Sequence, residues 1–197
     1  MTELSPTANA LCQAVDTITN NIELLAPAIE QASNMVCGAL LTENKIFTCG
    51  NGYSGPMASL LTASLMHHQG QERPALPATN ISIDSASISS IAKDGNYHSI
   101  YAKQIKALAR SGDLLVAFSI EGNCSNIVQA VQAAHEKEMH VITVLGASDG
   151  RISSLKNESD IEINLNTPNV PRTLEAQLLT INTLCQQIDF QLFGIEG

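Results

Sequence analysis

Basic residues are scarce in this chain. Lys and Arg number 10 against 19 Asp and Glu, a formal net charge of -9 over 197 residues. Nothing in the pattern clusters into the basic surface that binding to duplex or single-stranded nucleic acid requires. Direct nucleic-acid binding is therefore not expected, although a nucleic-acid-associated protein partner stays open. Long apolar runs are missing as well: none approaches the roughly 20 residues of a membrane span. The start, MTELSPTANALCQAV, has neither the basic residues nor the unbroken apolar stretch of a signal peptide. The five cysteines (Cys12, Cys37, Cys49, Cys124, Cys185) are odd in number, widely spaced and without a Cys-x-x-Cys pair. That argues against a zinc knuckle or a redox motif and reads as free thiols in a reducing cytoplasm.

What remains is a chain that is 44% hydrophobic, long enough to bury a substantial core. It carries no low-complexity stretch and no internal repeat, so one domain is expected over 1–197, with a helical arm at 1–43 and an α/β core plus C-terminal helix at 44–197. Leu11, Val15, Ile18, Ile22 and Leu25 step by three or four residues, and after Pro27 Ile29, Met35, Val36 and Leu40 resume the face, which predicts a two-part helical arm. Short apolar runs then alternate with helical segments: 45–49, 79–83, 114–118, 141–145 and 161–165. Each of the first four ends in a Gly, Ser or Asp cluster. Five strands separated by helices predict βαβ units and a parallel five-stranded sheet flanked by helices, with loops gathered at the carboxyl ends of the strands. Leu174, Leu178, Ile181, Cys185, Ile188 and Leu192 mark a final amphipathic helix, entered through Pro168 and Pro171.

Chemistry is expected at two glycine loops. Gly50-Asn51-Gly52-Tyr53-Ser54-Gly55 follows a strand and precedes a helix, the context of a dinucleotide fingerprint. Asp84 could meet a ribose, but it lies further along than the roughly 20 residues the fingerprint expects, and a long helical arm precedes the motif. The second loop, Ser119-Ile120-Glu121-Gly122-Asn123-Cys124, also joins a strand to a helix. Two such loops on one edge suit a sugar phosphate, with hydroxyls and backbone N–H groups for the phosphate and Asn side chains for sugar hydroxyls. The candidate ligand residues are Asn51, Gly52, Ser54, Ser119, Gly122 and Asn123. Adjacent His67 and His68 point about 100° apart on a helix, so they are read as solvated rather than as ligands of one metal. Ser54 does not sit in a G-x-S-x-G elbow, and Cys49 and Cys124 are read as structural thiols. No metal site and no cofactor are expected.

CGNGYS, FSIEGN, the stretch PALPATNISIDSASISSIAKD and the long final helix together resemble the sugar isomerase (SIS) domain, in particular its phosphoheptose isomerase branch. The resemblance covers almost the whole chain and implies a flavodoxin-like sheet, a homotetramer and phosphosugar sites near subunit interfaces. It also exposes departures. Where sedoheptulose 7-phosphate isomerases carry a His and a Glu on the helix after the first loop, this chain has Leu60 and Ser64. Where they carry a Gln and a His on the last helix, it has Leu174 and Asn182. Those positions ligate zinc or transfer protons in the isomerases, and neither an apolar side chain nor an amide replaces an ionisable group in that task. The second loop gains Glu121, whose charge would repel a phosphate facing it.

Segments 91–94 and 101–108, with Asn182–Cys185, Ile188-Asp189 and Leu192-Phe193, resemble instead the DnaA initiator-associating (DiaA) branch. That resemblance implies a non-enzymatic, homotetrameric adaptor that binds DnaA and promotes its assembly at the replication origin, with Leu192 and Phe193 as partner contacts. The alternative is a phosphosugar isomerase of the sedoheptulose 7-phosphate type, or a phosphosugar-binding sensor.

Overall fold

The computed structural model describes residues 5–147 and 150–195. The arm forms α1 (Pro6–Thr19) and α2 (Ile22–Leu41). The interruption falls at Asn20 and Asn21, where the Asn21 side chain donates to the Thr17 carbonyl at 2.7 Å, and not at Pro27. Pro27 lies inside α2, where it removes one backbone donor. Burial of Leu25 and Ile29 on either side of it offsets that loss.

The rest alternates strand and helix: β1 (Ile46–Gly50), α3 (Ser54–Met66), β2 (Ala78–Asn80), α4 (Ser85–Ala92), α5 (Ile100–Leu108), β3 (Leu114–Ser119), α6 (Ser125–Glu136), β4 (His140–Leu145), β5 (Ile161–Asn164) and α7 (Val170–Phe193). All five strands are parallel, in the order β2-β1-β3-β4-β5. The expected α/β architecture is thus present. β2 is shorter than its apolar run because, at the sheet edge, the chain leaves β1 after Asn80.

Period-two alternation builds two cores. Leu114, Val116 and Phe118 of β3 face α2, α3 and α7, while Leu115 and Ala117 face α5 and α6. Burial on both faces explains why β1 and β3 read as continuous apolar runs. At 20 residues and a mean hydropathy of 1.2, α2 is long and apolar enough to cross a membrane by those measures. Here its Leu25, Ile29, Ala32 and Val36 are buried in the core it shares with α7 and β5. Asn169 caps α7 by accepting the Arg172 N–H, and Gly194 ends it with φ 67°. Because the chain steps from β1 to β2 on one side and then crosses back to β3 on the other, the carboxyl ends of β1 and β3 form the switch point where open α/β sheets place ligands.

Candidate functional site

Both glycine loops stand at that point. Gly50 closes β1 with its Cα against the Ser54 carbonyl, so a Cβ there would collide with backbone. Gly52 turns the chain with φ 49°. Ser54 opens α3 and is buried, its Oγ 3.4 Å from the carboxamide of Gln177 on α7. Across the sheet, Ser119 ends β3, and its buried Oγ accepts the Gly122 N–H at 3.2 Å. Gly122 has φ 69° and packs against Ala147 and Gly150. Asn123 accepts the Arg151 N–H at 2.9 Å and donates to the Glu121 carbonyl at 3.3 Å.

Two clefts open here. The larger, 790 Å³, is walled by Gly50, Asn51, Gly52 and Gly55 with Ser59, Leu60, Ser82, Tyr97 and Tyr101. The smaller, 310 Å³, lies between the loops and is walled by Asn51, Gly52, Tyr53, Ser119, Ile120, Glu121 and Cys124. Asn51 and Gly52 wall both, so the two clefts are neighbours. Of the other candidates only Ser119 reaches a wall; Ser54, Gly122 and Asn123 make hydrogen bonds that hold the loops in place. Glu121 is on the smaller wall but exposed, where water screens its charge.

The four altered positions divide. Ser64 is buried, and Gln69 Nε2 donates to its Oγ at 2.6 Å and to Asn182 Oδ1 at 3.4 Å, a hydrogen-bonded link between α3 and α7. Leu60 packs partly on the core and lines the larger cleft; Leu174 is half-buried on α7. Zinc does not fit here: Leu60 and Leu174 offer no donor atom, and Ser64 and Asn182 are engaged with Gln69. Among the described residues no three His, Cys, Asp or Glu side chains gather where they could hold a metal. His67 and His68 face each other at 4.3 Å between ring centroids, and His68 Nδ1 lies 2.8 Å from the Gly70 carbonyl oxygen. Cys49 is fully buried, which pushes its thiol far above the ordinary range and keeps it protonated.

Sequence reasoning missed Ser82, Tyr97, Tyr101 and Asn126. Ser82 Oγ accepts the Gly50 N–H at 2.9 Å, and the Tyr101 hydroxyl reaches the Gly50 carbonyl. Ser82, Tyr97 and Tyr101 lie far from the glycine loops along the chain, and Asn126, just past the second loop, reads as an ordinary helix start; only polar residues in apolar segments, such as Tyr101 in α5, hinted at a role. At the other end of α7, Leu192 packs against the core. Phe193 stays 37% exposed, with the Arg73 guanidinium 5.8 Å from its ring centroid.

The SIS domain profile matches residues 11–146. The chain belongs to the SIS domain family, phosphoheptose isomerase-like. A relative from Chromohalobacter salexigens named phosphoheptose isomerase is 41% identical over 181 residues, 92% of each chain. A phosphoheptose isomerase structure from Francisella tularensis superposes with a TM-score of 0.90 at 33% identity, covering 96% of this chain and 99% of that one. One from Neisseria gonorrhoeae gives 0.87 at 30%, covering 93% and 96%.

These relatives overturn the expectation of a non-enzymatic DnaA adaptor. That expectation leaned on the four altered positions and on short segments of α5 and α7. The likeness of this SIS chain to named isomerases, members of an enzyme class, runs over nine-tenths of its length. Neither the DnaA initiator-associating branch nor a DnaA partner has support from them.

Proposed function

We propose that this chain binds a phosphosugar of the heptose class across the two neighbouring clefts and interconverts its ketose and aldose forms. The observation that carries the reading is the shared wall of Asn51 and Gly52 at the switch point, in a chain 41% identical to a named phosphoheptose isomerase. In this reading the phosphate lies by Ser119 and the start of α6, where backbone amides and the positive helix end favour an anion. The sugar extends toward Ser59, Ser82 and Tyr97, whose hydroxyls exchange hydrogen bonds with its own.

Isomerisation moves a proton between adjacent carbons and needs a base. Leu60, Ser64, Leu174 and Asn182 supply none, and the ionisable side chains on the larger wall are the phenols of Tyr97 and Tyr101. The reading therefore places the completing group on a neighbouring subunit of a homotetramer. Self-association is supported by an apolar groove between α1 and α7, walled by Val15, Ile18, Leu178 and Leu179, beside exposed Leu11, Ile22 and Leu24. Residues 1–197 are taken as one unit in a reducing cytoplasm, in keeping with five free cysteines.

The test is to incubate the purified protein with sedoheptulose 7-phosphate and follow the sugar by NMR, with and without EDTA. Conversion is expected, and EDTA is expected to leave it unchanged because the altered positions offer no zinc donor set. Binding by calorimetry without conversion would overturn the isomerase step and retain the ligand. Absence of both would overturn the whole reading.

A further inference from the structure

One buried network is more elaborate than the fold requires. The Ile127 N–H, in the first turn of α6, donates to Asn126 Oδ1 at 3.0 Å, which identifies that atom as the oxygen of the Asn126 carboxamide. Asn51 Nδ2 donates to the same oxygen at 2.6 Å, and Asn126 Nδ2 donates back to Asn51 Oδ1 at 2.8 Å. The Tyr101 hydroxyl then lies 2.9 Å from Asn51 Oδ1 and 2.9 Å from the Gly50 carbonyl, sharing its proton between them.

Asn51 Oδ1 accepts the Asn126 Nδ2–H and faces the Tyr101 hydroxyl proton that it shares with the Gly50 carbonyl, so protein donors occupy both of its lone-pair directions, whereas Asn51 Nδ2 has spent one of two N–H groups. A carboxamide turned over would set its oxygen against Asn126 Oδ1. Asn51 stands on the walls of both clefts. Asn126 and Tyr101 are 1% and 3% exposed, so neither is free to change partners with water. Burial also pushes the Tyr101 phenol well above its ordinary range, so its proton stays in place at neutral pH.

We infer that Tyr101 is a positioning residue: with Asn126 it locks the Asn51 carboxamide so that it offers the clefts a hydrogen-bond donor and never an acceptor. The ligand group that meets Asn51 must then carry acceptor oxygens, as a phosphate, a carbonyl or a sugar hydroxyl does. This deepens the phosphosugar reading and rests on it for the identity of the ligand, but not for the lock itself.

Two measurements on the full-length protein separate these parts. Calorimetry with sedoheptulose 7-phosphate compares wild type, Tyr101→Phe, Asn51→Ala and the double variant. Tyr101→Phe removes the one proton that the Gly50 carbonyl and Asn51 Oδ1 share, and is expected to weaken binding about tenfold. In the Asn51→Ala background the same change is expected to do almost nothing. In turnover, Tyr101→Phe is expected to raise KM rather than lower kcat. An equal loss in both backgrounds, or no loss in either, would overturn the inference. The second measurement needs no ligand. In NMR spectra the Asn51 side-chain amide signals should move and exchange faster in Tyr101→Phe, while those of Asn182 stay in place. If wild type ignores the sugar phosphate, the phosphosugar reading falls, and this spectrum alone decides the lock: unmoved Asn51 signals overturn it.

Discussion

At the scale of single residues, environment rather than residue type sets the chemistry. Burial, with the nearby Asp189 charge, pushes the Cys37 thiol up to about 11. Burial and the same carboxylate take Cys185 up to about 12, with Arg73 acting in the opposite direction. Both stay protonated and poorly nucleophilic near neutrality. Iodoacetamide at pH 8 should therefore label exposed Cys12 first, leaving Cys37, Cys49 and Cys185 unlabelled until the protein is denatured, as peptide mass spectrometry would record. Asp84 shifts the other way. The Ser87 hydroxyl and backbone N–H, with the Ala86 N–H, hold its carboxyl below the usual range as it caps α4. A group whose folded pKa is depressed stabilises above its unfolded value and loses that contribution as pH falls. Protection factors at Ala86 and Ser87, that is exchange rates corrected for the intrinsic slowing of amide exchange in acid, should accordingly fall on acidification before those of the sheet.

At the scale of elements, α7 is the strut that joins the site to the arm. Its inner face holds Gln177 against Ser54, and Asp189 lies 2.6 Å from the Nε of Arg73, whose side chain is only 1% exposed. The same guanidinium donates to the carbonyls of Ser64, Leu65 and Pro74, so one cation ties the end of α3, the chain leading to β2 and α7. Removing one partner of such a pair strands the other charge. Asp189→Ala should cost about 3 kcal/mol, a fall of roughly 6–12 °C in Tm by calorimetry for a chain of this length. Asn169→Ala, which deletes the α7 cap, should cost about 1 kcal/mol. The arm shows how local propensity and context compete. Pro27 is the obvious place to break a helix, yet the break falls at Asn20 and Asn21, because α2 buries apolar side chains on both sides of Pro27.

At the scale of the whole molecule, the apolar groove between α1 and α7 predicts association. Val15→Asp with Leu179→Glu should shift sedimentation from an oligomer toward a monomer while circular dichroism stays unchanged. If those charges leave the sedimentation coefficient of wild type in place, the groove is not the contact. Five strands, their alternation with helices and the final helix were legible in the sequence because burial on both faces of a parallel sheet writes continuous apolar runs, and helices repeat every three or four residues. The two glycine loops were legible as loops at strand ends for the same reason. Their walls were not. Tyr101 reads as one more residue of an amphipathic helix, Asn126 as an ordinary polar residue near a helix start, and Ser82 as turn chemistry. Their meeting at Gly50 and Asn51 depends on crossovers that carry α5 and α6 to the same sheet edge. The sequence by itself determined the order and period of the elements, since propensity and hydrophobic spacing act locally along the chain. Only the tertiary structure decided which polar groups share a wall and which lone pairs are spent. Hydrogen bonds between residues 50 or 75 positions apart exist only after the sheet has folded.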